Sequence, residues 1–149
     1  IYMGDWSSDV CSSDLASLIA RVTLGLVMLP HGLQKTLGWF GGPGLEGWIG
    51  YMGSAGIPAP LAILIALTES VGALALILGI FGRVAAAGVA AVMLGAIVMV
   101  HGKVGFFMNW AGSQPGEGFE YHLLALGLAL IVIVLGSGKA SVERKLMQA

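Results

Sequence analysis

From Ala16 onward the chain is organised by four apolar runs, at 16–37, 58–80, 84–101 and 119–136. Each is near the roughly 20 residues that cross hydrocarbon as a helix. A bilayer offers no water to unpaired backbone groups, so segments of this length are expected to be helical. Composition agrees: 57% of residues are hydrophobic and 10% charged, with a mean hydropathy of +0.91, where soluble domains carry roughly a quarter charged residues. At 149 residues there is room for four spans and their connections but not for a second sizeable soluble domain. The expected fold is all-α, a single four-transmembrane-helix bundle. The connection GIFGR is short enough to force the second and third spans into an antiparallel hairpin. GWFGGPGLEGWIGYMGSAGIPAP and GKVGFFMNWAGSQPGEG are long and Gly-rich.

The first 15 residues do not fit this pattern. GDWSSDVCSSDL is polar and Ser/Asp-rich, and reverse translation of 5–15 gives a DNA string that resembles a sequencing-library adapter read in frame. Residues 1–15 are therefore expected to be a translated artefact and 16–146 the native membrane domain, the alternative being a genuine disordered leader. Without Asp5, Asp9 and Asp14 the acidic residues fall from 8 to 5 against 7 basic ones, and the formal charge moves from -1 to +2. The single cysteine, Cys11, falls in the same stretch. The rest of the chain then has no thiol for disulfide exchange or metal ligation.

Lysine and arginine set the expected orientation. With the N-terminus inside, Arg21, Arg83, Lys139, Arg144 and Lys145 lie toward the inner side, against Lys35 and Lys103 outside. The positive-inside rule then puts both termini in the cytoplasm. Both long loops face outward, with Trp39, Trp48, Tyr51 and Trp110 placed to form an aromatic belt.

In this topology the ionisable and polar residues gather in the outer half. His31, Gln34 and Lys35 end the first span, Glu69 lies midway along the second, and His101 ends the third. Asn109, Trp110, Glu117, Glu120 and His122 lie in the last loop or at the start of the fourth. On a helical wheel Arg21, His31, Gln34 and Lys35 share one face, expected to point into the bundle. A carboxylate at mid-depth costs roughly 2.5–3.5 kcal/mol on translocon scales, so Glu69 should face protein, protonated or paired with Arg21, Lys35 or a histidine. Its wheel neighbours Ala62, Ala66, Gly72 and Ala73 are small enough for close packing. Gly88, Ala91, Gly95 and Gly102 form a second small stripe, read as helix packing. Met28, Met93, Met99 and Met108 are read as core. Glu120 and His122 are about 200° apart on a helix, so both should not face the bundle. Glu120 suits the positive end of the helix dipole, with His122 at the headgroup boundary.

LGLVMLPHGLQKTLGWFGGPGLEG, YMGSAGIPAP, the mid-helix Glu69 and HGKVGFFMNWAGSQPGEGFEYHLL together resemble the DoxX family of small four-helix membrane proteins, from Ala16 to Leu146. The resemblance implies Arg21, His31, Gln34, Lys35, Glu69, Arg83, Asn109, Glu117 and Glu120 as matching polar positions. Family members are similar to the small subunit of thiosulfate:quinone oxidoreductase, and some are described in complexes with a superoxide dismutase and a sulfurtransferase. A redox partner protein, alongside the lipid bilayer, is the partner this implies, in a bacterial inner membrane. Fold follows from such a resemblance more directly than reaction does.

No cofactor fingerprint is present: there is no CxxC, no haem-attachment motif and no GxGxxG opening a helix after a strand. No metal site, nucleic-acid partner or catalytic residue is assigned. The leading expectation is a quinone-interacting or non-catalytic subunit of a membrane oxidoreductase complex. The candidate ligand or proton residues are His31, Gln34, Lys35, Glu69, His101, Asn109, Trp110 and Glu120, with Arg21 and Arg83 as structural charges. Phe107 or Trp110 would flank the ring. The alternatives are a scaffold or assembly factor without redox role, and a small-solute or proton conduit.

Overall fold

The computed structural model describes residues 6–148. It is all-helical among the described residues. Helix α1 spans Trp6–Thr36, α2 Gly44–Ser54, α3 Ala59–Leu78, α4 Gly82–Met99, α5 Glu120–Leu135 and α6 Val142–Met147. Three of these, α1 from Cys11, α3 and α4, are long and apolar enough to cross a membrane, and α5 is a shorter apolar helix. Together they form the expected four-helix membrane bundle. At 16 residues, α5 rises about 24 Å, less than the roughly 30 Å hydrocarbon core. Of the stretch 1–15, residues 1–5 lie outside the described residues, and from Trp6 the chain already runs as the first turns of α1.

The bundle core is narrow and built from small side chains. Ala20, Leu24 and Met28 of α1 meet Ala73 and Leu76 of α3, Ala86, Val89 and Met93 of α4, and Ala125, Ala129 and Val132 of α5. Large residues such as Leu26, Leu64, Val71, Val98, Leu124 and Val134 point outward, where lipid tails are as good a solvent for them as protein. Association in such a setting rests on close backbone approach rather than on the hydrophobic effect. Gly25 and Gly32 of α1 provide that approach. A Cβ on Gly25 would lie 2.7 Å from the Ala73 carbonyl oxygen, and one on Gly32 would lie 2.4 Å from the Glu69 carbonyl carbon.

The small stripe expected on α4 is only partly a packing surface. Gly88 meets the Thr68 methyl group, but Ala91 is exposed and a Cβ on Gly95 would meet nothing within 4 Å. The helix packs instead through Ala86, Val89 and Met93. Met99 is likewise exposed, and only Met28 and Met93 of the four methionines are core.

Two local features were not expected. The first long loop contains α2, whose Met52 packs with Ile57 and Ala62 in a small second cluster flanked by Trp48. In α3, the residues Thr68–Gly72 form a π-helical turn. The Thr68 and Ser70 hydroxyls donate to the Leu64 and Ala66 carbonyls, at 2.8 and 2.7 Å. Such back-bonding competes with the regular helix ladder.

The end of the bundle where α3 turns into α4 is held by a buried guanidinium. Arg21 is 1% exposed. Its Nε donates to the Ser137 carbonyl at 3.1 Å, Nη1 to Leu76 and Ile77 at 3.0 and 2.6 Å, and Nη2 to Ala140. It thus ties α1 to the open carbonyl end of α3 and to the segment after α5. Gly79, with φ 71°, leaves the room: a Cβ there would stand 3.0 Å from Arg21 Cζ. Arg83 is exposed and donates to the Val134 carbonyl at 3.2 Å.

Candidate functional site

At the opposite end, where the two long loops lie, an ion pair is built on the helix crossing. Gly32 sits on the backbone of Glu69 and Ser70, within the π-turn, and Lys35 follows it by about one turn of α1. Its amine therefore reaches the Glu69 carboxylate, and the two form a salt bridge with side chains 18% and 5% exposed. The same amine lies 4.9 Å from the centre of the Trp48 ring, a cation–π distance. Trp48 is fixed in turn by its indole N–H, which donates to the Ala62 carbonyl at 2.8 Å. So α1 supplies the cation, the π-turn the anion, and α2 the aromatic cover. Of the three partners expected for Glu69, Lys35 is the one it has, and Arg21 lies at the other end.

The shared polar face expected on α1 is divided. Arg21 is buried at the other end of the bundle, Gln34 and Lys35 are half-buried, and His31 is exposed, so His31 does not point into the core. Its ring packs against Tyr121, centroids 6.1 Å apart. Gln34 lies under the first loop, where a Cβ on Gly42 would meet the Gln34 carbonyl oxygen at 2.4 Å.

The carboxylates of the last loop order its backbone. Glu120 accepts from the Met108 N–H at 2.8 Å and from the Trp110 indole N–H at 3.3 Å. Glu117 accepts from the Asn109 N–H at 2.7 Å. The Asn109 side chain is engaged by Gln114, accepting from its N–H at 3.0 Å and donating to its carbonyl at 3.1 Å. The returning strand of loop donates from Gly118, Phe119 and Glu120 to Phe107, Gly105 and Phe106. Gly118 is required there, because a Cβ would lie 2.3 Å from the Phe107 oxygen. Asn109 is thus a loop clasp, while Trp110, 88% exposed, stands at the rim of an apolar groove. Phe106, Met108, Glu120, Tyr121 and Leu124 line the groove with it, around roughly 670 Å³.

A histidine pair joins the two regions. His101, just past α4, and His122, in the first turn of α5, have ring centroids 4.2 Å apart. Tyr121 packs edge-on to His122 at 5.6 Å and continues to His31. His122 is 6% exposed, so at the start of α5 its ring faces the bundle. The wheel argument separated Glu120 from His122, but the loop folds over Glu120 and engages it from the side while His122 faces inward. His122 and Tyr121 were missed as site residues for that reason. No set of three or more His, Cys, Asp or Glu side chains converges as a metal site among the described residues.

The DoxX family model matches residues 16–102, more than half of the chain. The chain belongs to the DoxX family. It is 31% identical over 119 residues to a Bacillus subtilis (strain 168) protein named "Putative oxidoreductase CatD", covering 80% of this chain and 79% of that one. It is 28% identical over 133 residues to the "Inner membrane protein YphA" of Escherichia coli (strain K12), covering 86% and 88%. No solved structure matches the chain significantly. The family match ends before the last loop, so the loop-end carboxylates and His122 lie beyond it. With three spanning helices and a shorter fourth, this DoxX chain is a multi-pass protein of the bacterial inner membrane.

Proposed function

We propose that this DoxX protein is the membrane subunit of a quinone-linked oxidoreductase, offering a quinone headgroup site at the loop end of the bundle. The observation that carries this reading is the Lys35–Glu69 pair: a half-buried cation of α1 on a buried carboxylate of the π-turn, covered by Trp48. π-Turns and intramembrane charges concentrate at functional sites. A quinone headgroup needs an apolar slot with a hydrogen-bond donor and a proton-exchanging group at its edge. The groove beside Trp110 and Glu120 offers the slot and an exposed edge. Lys35 or His31 would donate to a quinone oxygen, and Glu69 or Glu120 would exchange the proton that accompanies each electron. Electrons would come from a partner protein, since no redox cofactor motif occurs in the chain. The name carried by the Bacillus relative agrees with such a role. The lysine and arginine bias supports a reading with both termini in the cytoplasm, in which the site would lie toward the outer face.

A scaffold without redox role is the second reading. It draws support from Arg21 and Asn109, whose polar atoms are engaged by the chain itself. Titration of the protein in mild detergent with a short-chain benzoquinone analogue, followed by tryptophan emission, separates the two. The quinone reading predicts saturable quenching that weakens in Glu69→Gln and in Trp110→Phe. Quenching that is linear in analogue concentration and unchanged by both substitutions supports the scaffold.

A further inference from the structure

The Arg21 end of the bundle carries further cations that its backbone does not use up. Arg83, at the start of α4, and Arg144, in α6, line one open pocket of roughly 310 Å³, together with the segment that follows α5. Both are exposed. Arg83 lies along Gly136, where a Cβ would stand 3.2 Å from its Nε, and its Nη2 donates to the Val134 carbonyl at 3.2 Å. That bond steadies the guanidinium and leaves most of its five donors without a protein partner among the described residues. The Arg144 side chain makes no hydrogen bond or ion pair among the described residues. Two acids also line the pocket, but each is already engaged. Lys139 lies 3.3 Å from the Asp14 carboxylate, and the Ser137 hydroxyl donates to Glu143 at 3.0 Å. With Lys139 included, three cations meet two carboxylates, a formal excess of +1. The remaining wall is apolar: Phe81, Val84, Leu135 and Met147 line the pocket and are themselves exposed. It therefore suits an occupant that is anionic at one end and apolar at the other.

We infer that this pocket binds an anionic phospholipid, with Arg83 and Arg144 on its phosphodiester and an acyl chain along Phe81, Val84 and Leu135. The planar fork of arginine matches phosphate oxygens, and the pair is charge-assisted. Basic pockets where spanning helices meet the membrane surface take lipid head groups by this chemistry. A free phosphate would leave the apolar wall unused. A zwitterionic lipid would bring its ammonium toward two guanidiniums, while the carboxylates that could receive it are held by Lys139 and Ser137. The site lies at the opposite end from the quinone groove and does not depend on it.

The test is native mass spectrometry of the detergent-solubilised chain, titrated with phosphatidylglycerol or with phosphatidylethanolamine carrying the same acyl chains. The first phosphatidylglycerol should bind more tightly than its ethanolamine counterpart. Arg83→Gln and Arg144→Gln should each weaken it by about tenfold or more, the loss of a charge-assisted hydrogen bond. Arg144→Gln removes no contact within the chain, so its effect is not one of folding. Lys145→Gln, which deletes the same charge outside the pocket, should weaken binding by about fivefold or less. Equal binding of the two lipids, or an equal loss in Lys145→Gln and Arg144→Gln, would overturn the assignment. Displacement of the lipid by millimolar inorganic phosphate would also overturn it, by making a free phosphate the ligand.

Discussion

At the residue scale, Glu69 and Lys35 behave as one unit. A carboxylate 5% exposed in mid-helix has its charge offset by a single amine, and that amine has Trp48 as its second neighbour. Removing one partner of a buried pair leaves an uncompensated charge, while replacing both with apolar groups is often neutral. Glu69→Leu or Lys35→Met alone should therefore destabilise the bundle by about 3–5 kcal/mol, with the double substitution recovering most of the loss. Unfolding midpoints in detergent for the four proteins of this cycle measure it, and additive losses would show that the two side chains act separately. The importance of Glu69 is visible in the sequence, because an acid amid apolar residues has few explanations. Its partner is not, since Arg21, Lys35 and the histidines are all on offer until the helix crossing is known. His122 is harder still: its burial depends on how the last loop folds over Glu120, which no spacing along α5 reports.

At the element scale, the crossing of α1 and α3 positions the site. Gly32 lets α1 lie directly on the π-turn, and any side chain there meets the Glu69 and Ser70 backbone at about 2.4–2.5 Å. Rigid backbone cannot yield as a flexible side chain would. Gly32→Val should cost about 1–3 kcal/mol as overpacking and should also part Lys35 from Glu69. Gly95→Val, whose Cβ would enter open space on α4, should leave the unfolding midpoint within error of wild type. Equal losses for the two would show that the close approach at Gly32 is not what sets the cost. The four apolar spans were legible from hydropathy to within a few residues, because hydrophobic length is a property of the segment itself. The packing glycines were not: Gly88 to Gly102 show a regular small stripe, whereas Gly25 and Gly32 stand among bulky residues. Only the tertiary crossing tells which glycines are covered. The π-turn and α2 are hidden for a related reason, since both are shaped by what packs on them.

At the scale of the whole molecule, the bundle has two ends with different tasks. At one, Arg21 ties together the carbonyl end of α3 and the segment after α5. At the other, an ion pair, an imidazole pair and a groove rimmed by tryptophan are gathered from α1, α2, α3, α5 and the last loop. The quinone headgroup proposed above would bind at this loop end. The measurement that bears on it most directly is photo-crosslinking of membrane-embedded protein with an azido-quinone, followed by peptide mapping of the adducts. Adducts on 31–52 and 106–124 that unlabelled quinone displaces are the expected result. Competable adducts confined to the Arg21 end, or labelling that unlabelled quinone does not displace, would contradict it.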